Sequence, residues 1–286
     1  MYADHLKAAT AAAALAICSA GLAETVSLEP SKDNTLYESA AGELSNGAGD
    51  YIFAGVTAMN SIRRAVLAFD VAGNVPAGST INSAELTLHM SMTQAAEQPM
   101  SLHRLSANWG EGNSDATFGG GGAGADAEEG DATWLHQFYP DDMWNNAGGD
   151  YESTPSVTIN VDDDGFYTWA SNANLVADVQ GWLDEPSSNF GWILIGNEST
   201  ALTAKRFDSG EHPTPTNRPE LVINYTPPTK SCTGDTNEDG QVNVSDLLEL
   251  LSAWGPCANC PEDLDGNDVV DVNDLLDLLA NWGPCP

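Results

Sequence analysis

The sequence predicts a mainly β protein: a jelly-roll-like β-sandwich over residues 24–226, followed by a small α-helical C-terminal domain over residues 232–286. Three observations predict it. Strand-length apolar runs punctuated by Gly, Pro and Asn turns recur from Tyr51 to Tyr225. All four cysteines beyond Cys18 fall in the last 55 residues. Those same residues repeat on themselves with a period of 28.

The chain begins with a processing signal. Lys7 precedes an Ala-rich apolar run over 8–19, and Ala20-Gly21-Leu22-Ala23 stands before Glu24. A basic start, a short apolar stretch and small residues at −3 and −1 are what signal peptidase reads. The run is shorter than the roughly 20 apolar residues of a membrane-spanning helix. Residues 1–23 are therefore expected to be removed on export, giving a secreted protein with no membrane insertion, extracellular or attached to a cell surface.

Charge narrows the partners. The chain has 42 acids against 9 bases, a net charge of −33. Such a field repels nucleic acid and anionic membranes. Residues 24–230 hold 29 acids and 8 bases, whereas residues 231–286 hold 12 acids and no base. The short Pro-containing stretch 227–231 reads as a linker between two domains.

In the sandwich, strand-length runs occur at 51–56, 65–69, 84–90, 100–105, 156–159, 192–195 and 221–225. One helix is expected over 175–183 with Asn174 as its N-cap. Asp162-Asp163-Asp164-Gly165 reads as a turn between strands, and the glycines of 119–124 open a loop that packs against nothing.

The tail carries the sharper pattern. In the first repeat Asp235, Asn237, Asp239, Asn243 and Asp246 occupy positions 1, 3, 5, 9 and 12 of a loop, with Gly240 at 6 and the Gln241 carbonyl at 7. In the second, Asp263, Asp265, Asn267, Asp271 and Asp274 take the same places, with the Val269 carbonyl at 7. Calcium needs about 6–8 oxygen ligands, and alternate side chains of a tight loop supply them. Two EF-hand-like calcium loops and two Ca2+ ions follow. Asp268 stands where the first loop has its turn glycine, so the second site is expected to be the weaker. After each loop an apolar stripe at helical spacing, Val244, Leu247, Leu248, Leu251 and then Val272, Leu275, Leu276, Leu279, predicts a helix closed by Trp-Gly-Pro.

Four cysteines allow three pairings. Two loop–helix units bury their stripes most simply by packing antiparallel, which sets each helix end beside the start of the other loop. Pairing within a repeat would join the ends of a helix of about 10 residues, roughly 15 Å apart, whereas a disulfide needs Cα atoms within about 7 Å. Cys232–Cys285 and Cys257–Cys260 are the pairs expected.

The repeated Asp-x-Asn-x-Asp-Gly-x-Val-Asn-Val-x-Asp-Leu-Leu pattern resembles a type I dockerin. That resemblance implies a cohesin-like or cell-surface anchor partner. Dockerins clasp cohesins through loop positions 10 and 11, which here are Val244-Ser245 and Val272-Asn273 rather than the usual hydroxyl-rich pairs. The sandwich shows Arg63-Arg64-Ala65-Val66-Leu67-Ala68-Phe69-Asp70, then Ala84-Glu85-Leu86-Thr87-Leu88, Val179-Gln180-Gly181-Trp182 and Arg218-Pro219-Glu220-Leu221-Val222-Ile223. Together these resemble the DNRLRE family of exported sandwiches, related to disaggregatase repeats. That implies a carbohydrate-binding module and a polysaccharide ligand, alginate for some members.

Candidate sugar contacts are of two kinds. Trp134, Tyr139 and Trp144 cluster in a polar stretch and could stack on sugar faces, the competing role being to cap one end of the sandwich. Arg63, Lys205 and Arg206 could meet a uronate carboxylate, the competing role being ion pairs with nearby acids. Trp169, Trp182 and Trp192 read as core. No catalytic residue is assigned: there is no Gly-x-Ser-x-Gly, no His-Glu-x-x-His and no cysteine in the sandwich, and the five histidines show no metal spacing. Three functions stay open: a calcium-anchored carbohydrate-binding protein, a structural or adhesive surface protein without a glycan ligand, and a polysaccharide-degrading lyase or glycoside hydrolase.

Overall fold

The computed structural model describes residues 22–117, 119–228, 232–257 and 260–285. The processing signal thus lies almost wholly outside the described residues, and so do linker residues 229–231. The chain divides into two compact units, Ala23–Pro228 and one that holds the tail, Thr229–Pro286. Among the described residues no helix is long and apolar enough to cross a membrane.

The larger unit is mainly β. Its strands are β1 (Glu24–Leu28), β2 (Lys32–Tyr37), β3 (Tyr51–Val56), β4 (Ile62–Ala68), β5 (Thr80–Thr93) and β6 (Gln98–Arg104). They continue as β7 (Val157–Val161), β8 (Gly165–Trp169), β9 (Trp192–Ile195), β10 (Lys205–Asp208) and β11 (Glu220–Thr226). These form one curled antiparallel sheet in the order β1-β11-β5-β10-β3-β4-β9-β6-β7, with β8 also on β5 and β2 also on β4. The curl turns at β3. Ala54 pairs with Lys205 of β10, while the next residue, Gly55, pairs with Arg63 of β4. Gly55 has φ 112°, and a Cβ there would stand 2.7 Å from the Thr203 carbonyl oxygen. Only glycine fits this corner.

Curling brings the two halves of the sheet face to face over a core of Leu67, Leu86, Leu88, Trp169, Trp192 and Phe207, with Trp182 of the helix α1 (Ala173–Asp184) packed against them. The N-cap of α1 is Asn172, not Asn174: its side chain accepts from the N–H groups of Asn174 (2.8 Å) and Leu175 (3.0 Å). Both Asn residues suit a cap, and only the backbone direction chooses between them.

A second core lies on the other face of β4 and β9. Ala65 and Leu67 point into the first core, Val66 and Ala68 into the second; Trp192 and Leu194 divide from Ile193 in the same way. Side chains alternate between faces, so a strand buried on both reads as an unbroken apolar run. The cover comes from residues 105–151, whose Trp109, Trp134 and Trp144 pack with Leu36, Val66 and Ile193. The glycine loop does pack: Gly121 O accepts from the Tyr37 hydroxyl at 2.7 Å, and Gly122 O accepts from Arg63. β1, β2, β8 and β10 escape the sequence pattern. β2 buries Asp33, Asn34 and Thr35 consecutively, which no apolar periodicity reveals.

The tail holds α2 (Val244–Ser252) and α3 (Val272–Ala280). Gln241–Val242 pairs with Gly283–Pro284, and Gly255–Pro256 pairs with Val269–Val270. Each helix end therefore lies beside the other repeat's loop. The sulfurs at bonding distance are those of Cys232 with Cys285 and Cys257 with Cys260, with Cα atoms 5.7 Å apart in both pairs. The core is small: Val242, Leu250, Val270 and Leu278 are fully buried, with Leu247 and Leu275 beside them. The expected stripe is thereby corrected. Val244, Leu248 and Leu251 face solvent, as do Val272, Leu276 and Leu279, because the two helices meet through the neighbouring turn of the wheel.

Candidate functional site

Each acidic loop is built by turning its own backbone N–H groups inward. Asp235 accepts from Asp239 N (3.0 Å) and Gly240 N (2.9 Å), and Asp239 accepts from Gln241 N (2.9 Å). In the second loop Asp263 accepts from Gly266 N (3.0 Å), Asn267 N (3.1 Å) and Asp268 N (2.7 Å). The last acid of each loop is fully buried and also caps the helix. Asp246 accepts from Asn243 N at 2.8 Å and Asp274 from Asp271 N at 2.7 Å. Asn243 and Asp271 complete the capping boxes by accepting from Ser245 N and Asn273 N.

The loops therefore gather carboxylates in a stretch, residues 231–286, whose sequence has no base. One oxygen from each of Asp263, Asp265 and Asp274 lies within 4.8 Å of the others. Burial first, and then the charges of Asp246 and Asp239, hold the Asp235 carboxyl above its ordinary pKa. Partial desolvation and then Asp274 and Asp263 do the same for Asp265. Burial alone would raise Asp274 as well, but the N–H groups of Asp271, Asp265 and Leu264 hold it below the usual range. An all-oxygen donor set of this kind suits a hard cation, and Asn237, Asn267 and the Gln241 and Val269 carbonyls are the other oxygen donors expected from the sequence pattern.

In the larger unit the structure separates the two kinds of candidate. Trp134 and Trp144 are buried in the second core; the Trp144 indole N–H donates to Thr133 O at 2.9 Å, and the Arg64 guanidinium lies 5.0 Å from the Trp134 ring. Tyr139 packs edge-on to His136. Trp134 and Trp144 thus cover β4 and β9 rather than offering a stacking face, and Tyr139 is half-buried outside that core. Arg63 and, far from it in sequence, the adjacent Lys205 and Arg206 line one groove of about 210 Å3. Phe53, Val56, Met92 and Leu202 form its apolar walls, and none of its thirteen lining residues is an acid.

The three bases differ in freedom. Lys205 is fully buried, and burial lowers its pKa; Nζ donates to the Asp162 carbonyl (2.7 Å), to Thr93 Oγ1 and to the Ala96 carbonyl. It supplies charge, not contact. Arg63 lies over the Tyr37 ring at 4.6 Å and donates to Ser61 Oγ and to the Ile62 and Gly122 carbonyls. Arg206 donates only through Nε, to Ser91 Oγ at 3.1 Å, so its terminal N–H groups are unengaged among the described residues. Among the described residues none of the three has a carboxylate within salt-bridge distance. The close ion pairs made by arginine are Arg64–Glu198 at 2.7 Å and Arg218–Glu29 at 3.1 Å.

Sequence reading missed one further cluster. His89 Nδ1 lies 2.7 Å from Asp208 Oδ2, and His212 Nε2 lies 3.7 Å from the same oxygen. Their spacing along the chain gave no signal, because β5 and β10 meet only in the folded sheet. No family model and no curated protein matches the chain.

Proposed function

We propose that this is an exported, non-catalytic, calcium-anchored protein that binds an anionic polysaccharide. The curled sheet fits the jelly-roll-like sandwich that the DNRLRE resemblance implies, and the tail fits a dockerin-like unit folded around two Ca2+ ions. The observation that carries the binding reading is the groove: three of the unit's seven bases line it and no acid does, in a chain of net charge −33. A uronate fits this chemistry. Its carboxylate would meet the free edge of Arg206, and its C–H faces the apolar walls. Charge at Arg206, rather than aromatic stacking at Trp134 and Trp144, then sets affinity.

The tail's role follows from its repeat. Val244, Leu248, Leu251 and Trp254 on one helix unit, and Val272, Leu276, Leu279 and Trp282 on the other, form two equivalent exposed apolar stripes beside the acidic loops. Such duplicated stripes suit a docking partner with an apolar, basic-rimmed surface, cohesin-like or on a cell surface.

Affinity electrophoresis of the intact protein through polyuronate and neutral-glucan gels tests the binding reading. Retardation is expected only by the polyuronate. It should persist as salt rises to about 0.5 M, because salt screens the long-range repulsion between two polyanions more than the contact at Arg206. Equal retardation in both gels, or none, would refute it.

A further inference from the structure

The basic groove does not end at Arg206. Resting on the uronate reading of that groove, we propose that it continues into a second subsite that takes an uncharged sugar. The preferred ligand is then a polysaccharide in which a uronate has a neutral neighbour. Asp50 and Asp115 set this specificity by repelling a second carboxylate.

The two cavities adjoin at measured contacts. The second, of about 170 Å3, is lined by Asn46, Asp50, Tyr51, Asp115, Thr117 and Gly120 with Ala116. Tyr51 and Phe53 stand two residues apart on β3, so they share one side of the strand. Phe53 lines the basic groove and Tyr51 the second cavity. The Arg206 guanidinium carbon lies 3.8 Å from the centroid of the Tyr51 ring, so the side chain that lines one cavity rests on a wall of the other. The glycine stretch forms the rim between them. A Cβ on Gly120 would stand 2.8 Å from Arg206 Nη1, and one on Gly121 would stand 3.3 Å from both Asn46 Nδ2 and Phe53 Cε2. Bare backbone keeps this junction free of side chains.

The second cavity is held in shape from behind. Asn46 is buried and ties two of its walls together: Nδ2 donates to the Tyr51 carbonyl at 2.9 Å, and Oδ1 accepts from Ala116 N at 2.7 Å. Its charge is the reverse of the groove's. Among the described residues Asp50 and Asp115 line it and no base does. Both are exposed, and neither carboxylate has a hydrogen-bond or ion-pair partner there. An ionised carboxylate only accepts, so it can take a sugar hydroxyl as donor but repels another carboxylate. Cavities for drug-sized ligands run to about 300–1,000 Å3. At about 210 and 170 Å3, these two suit one sugar ring each. A uronate anchored at Arg206 thus sets its neighbour beside Asp50 and Asp115. There a hydroxyl gains an acceptor, whereas a second carboxylate meets two like charges. Discrimination of this kind rests on a repulsive element as much as on an attractive one.

Affinity electrophoresis of the intact protein tests this with two gels, one holding a polyuronate and one the same polymer with half of its carboxyl groups reduced to hydroxymethyl groups. Wild type should be retarded more by the half-reduced polymer. The double variant Asp50→Asn, Asp115→Asn alters two exposed side chains and is expected to fold. It should bind the parent polymer about fivefold more tightly at about 0.15 M salt, where screening confines charge effects to about 8 Å, and should lose the preference. A control, Glu129→Gln with Glu220→Gln, removes the same charge at exposed positions outside both cavities. It should change binding by less than about twofold. Equal gains in the two double variants overturn the subsite and leave the groove reading in place. So does wild type held as tightly by the parent polymer as by the half-reduced one. No retardation of any of these proteins by either polymer overturns the groove reading, and the subsite with it.

Discussion

The Arg206 guanidinium carbon lies 3.8 Å from the centroid of the Tyr51 ring, with the two residues on adjacent strands of the curled sheet. A ring beneath a guanidinium holds it flat and leaves its edge donors free for a ligand. Arg206→Ala should weaken polyuronate binding about tenfold or more, since hydrogen bonds between charged groups contribute roughly 1.5–3 kcal/mol. Tyr51→Leu should weaken it less. Calorimetric titration of both variants against oligouronates, with thermal melts to confirm folding, checks the order. Equal losses would mean that the ring, not the charge, is the contact.

In the tail, Leu250 is fully buried and Leu248 is 62% exposed, two positions apart on one helix. Leu250→Ala should cost about 2–5 kcal/mol, enough to unfold a unit with four fully buried apolar side chains. Leu248→Ala should cost less than about 0.5 kcal/mol. Hydrogen–deuterium exchange of the α2 amides in the intact chain, followed as urea rises, separates the two.

Backbone strain in the two loops is more even than the missing turn glycine suggests. Each has two left-handed positions and one glycine: Glu238 (φ 58°) with Gly240 in the first, Gly266 with Asp268 (φ 67°) in the second. Asp tolerates this region better than Glu. Glu238→Gly should therefore stabilise its loop by about 1 kcal/mol, at least as much as Asp268→Gly does the other. Calcium titrations of the two variants show which site tightens more.

Burial pushes the Lys32 amine down to about 8, against the partial support of Glu111. The unfolded chain keeps this proton to about pH 10.4. Between those values the unfolded state binds more protons, so this group's contribution to stability rises with pH from about 8 and levels off above 10.4. Lys32→Met has no such proton. Melting temperatures of wild type and variant at pH 7.5 and 10 should shift relative to each other in favour of wild type at the higher pH; a constant difference would count against a charged, partly buried Lys32.

Much of the β unit was legible because its longer strands are apolar runs bounded by turns. Trp192–Ile195 forms a strand at the residues the pattern marks, and the acidic turn after Val161 joins β7 to β8. β2 was not legible, since three of its five buried residues, Asp33, Asn34 and Thr35, are polar. Trp134 and Trp144 were ambiguous for the opposite reason. Their stretch is polar, and only the apolar outer face of β4 and β9 makes it a cover.

The sequence alone determined the tail's order of loop, cap and helix, the oxygen-bearing side chains at alternate loop positions and the proximity of Cys257 to Cys260. The first two depend on residues within one 28-residue repeat, and the two cysteines stand three positions apart where one repeat meets the next. Tertiary structure decided which helix face stays exposed and which cations share a groove. Arg206 reaches Ser91 across 115 residues, and the Gly210 N–H reaches Asp33 across 177. Contacts at that separation leave no periodicity in the chain, because their spacing is set by the curl of the sheet rather than by the repeat of a helix or strand.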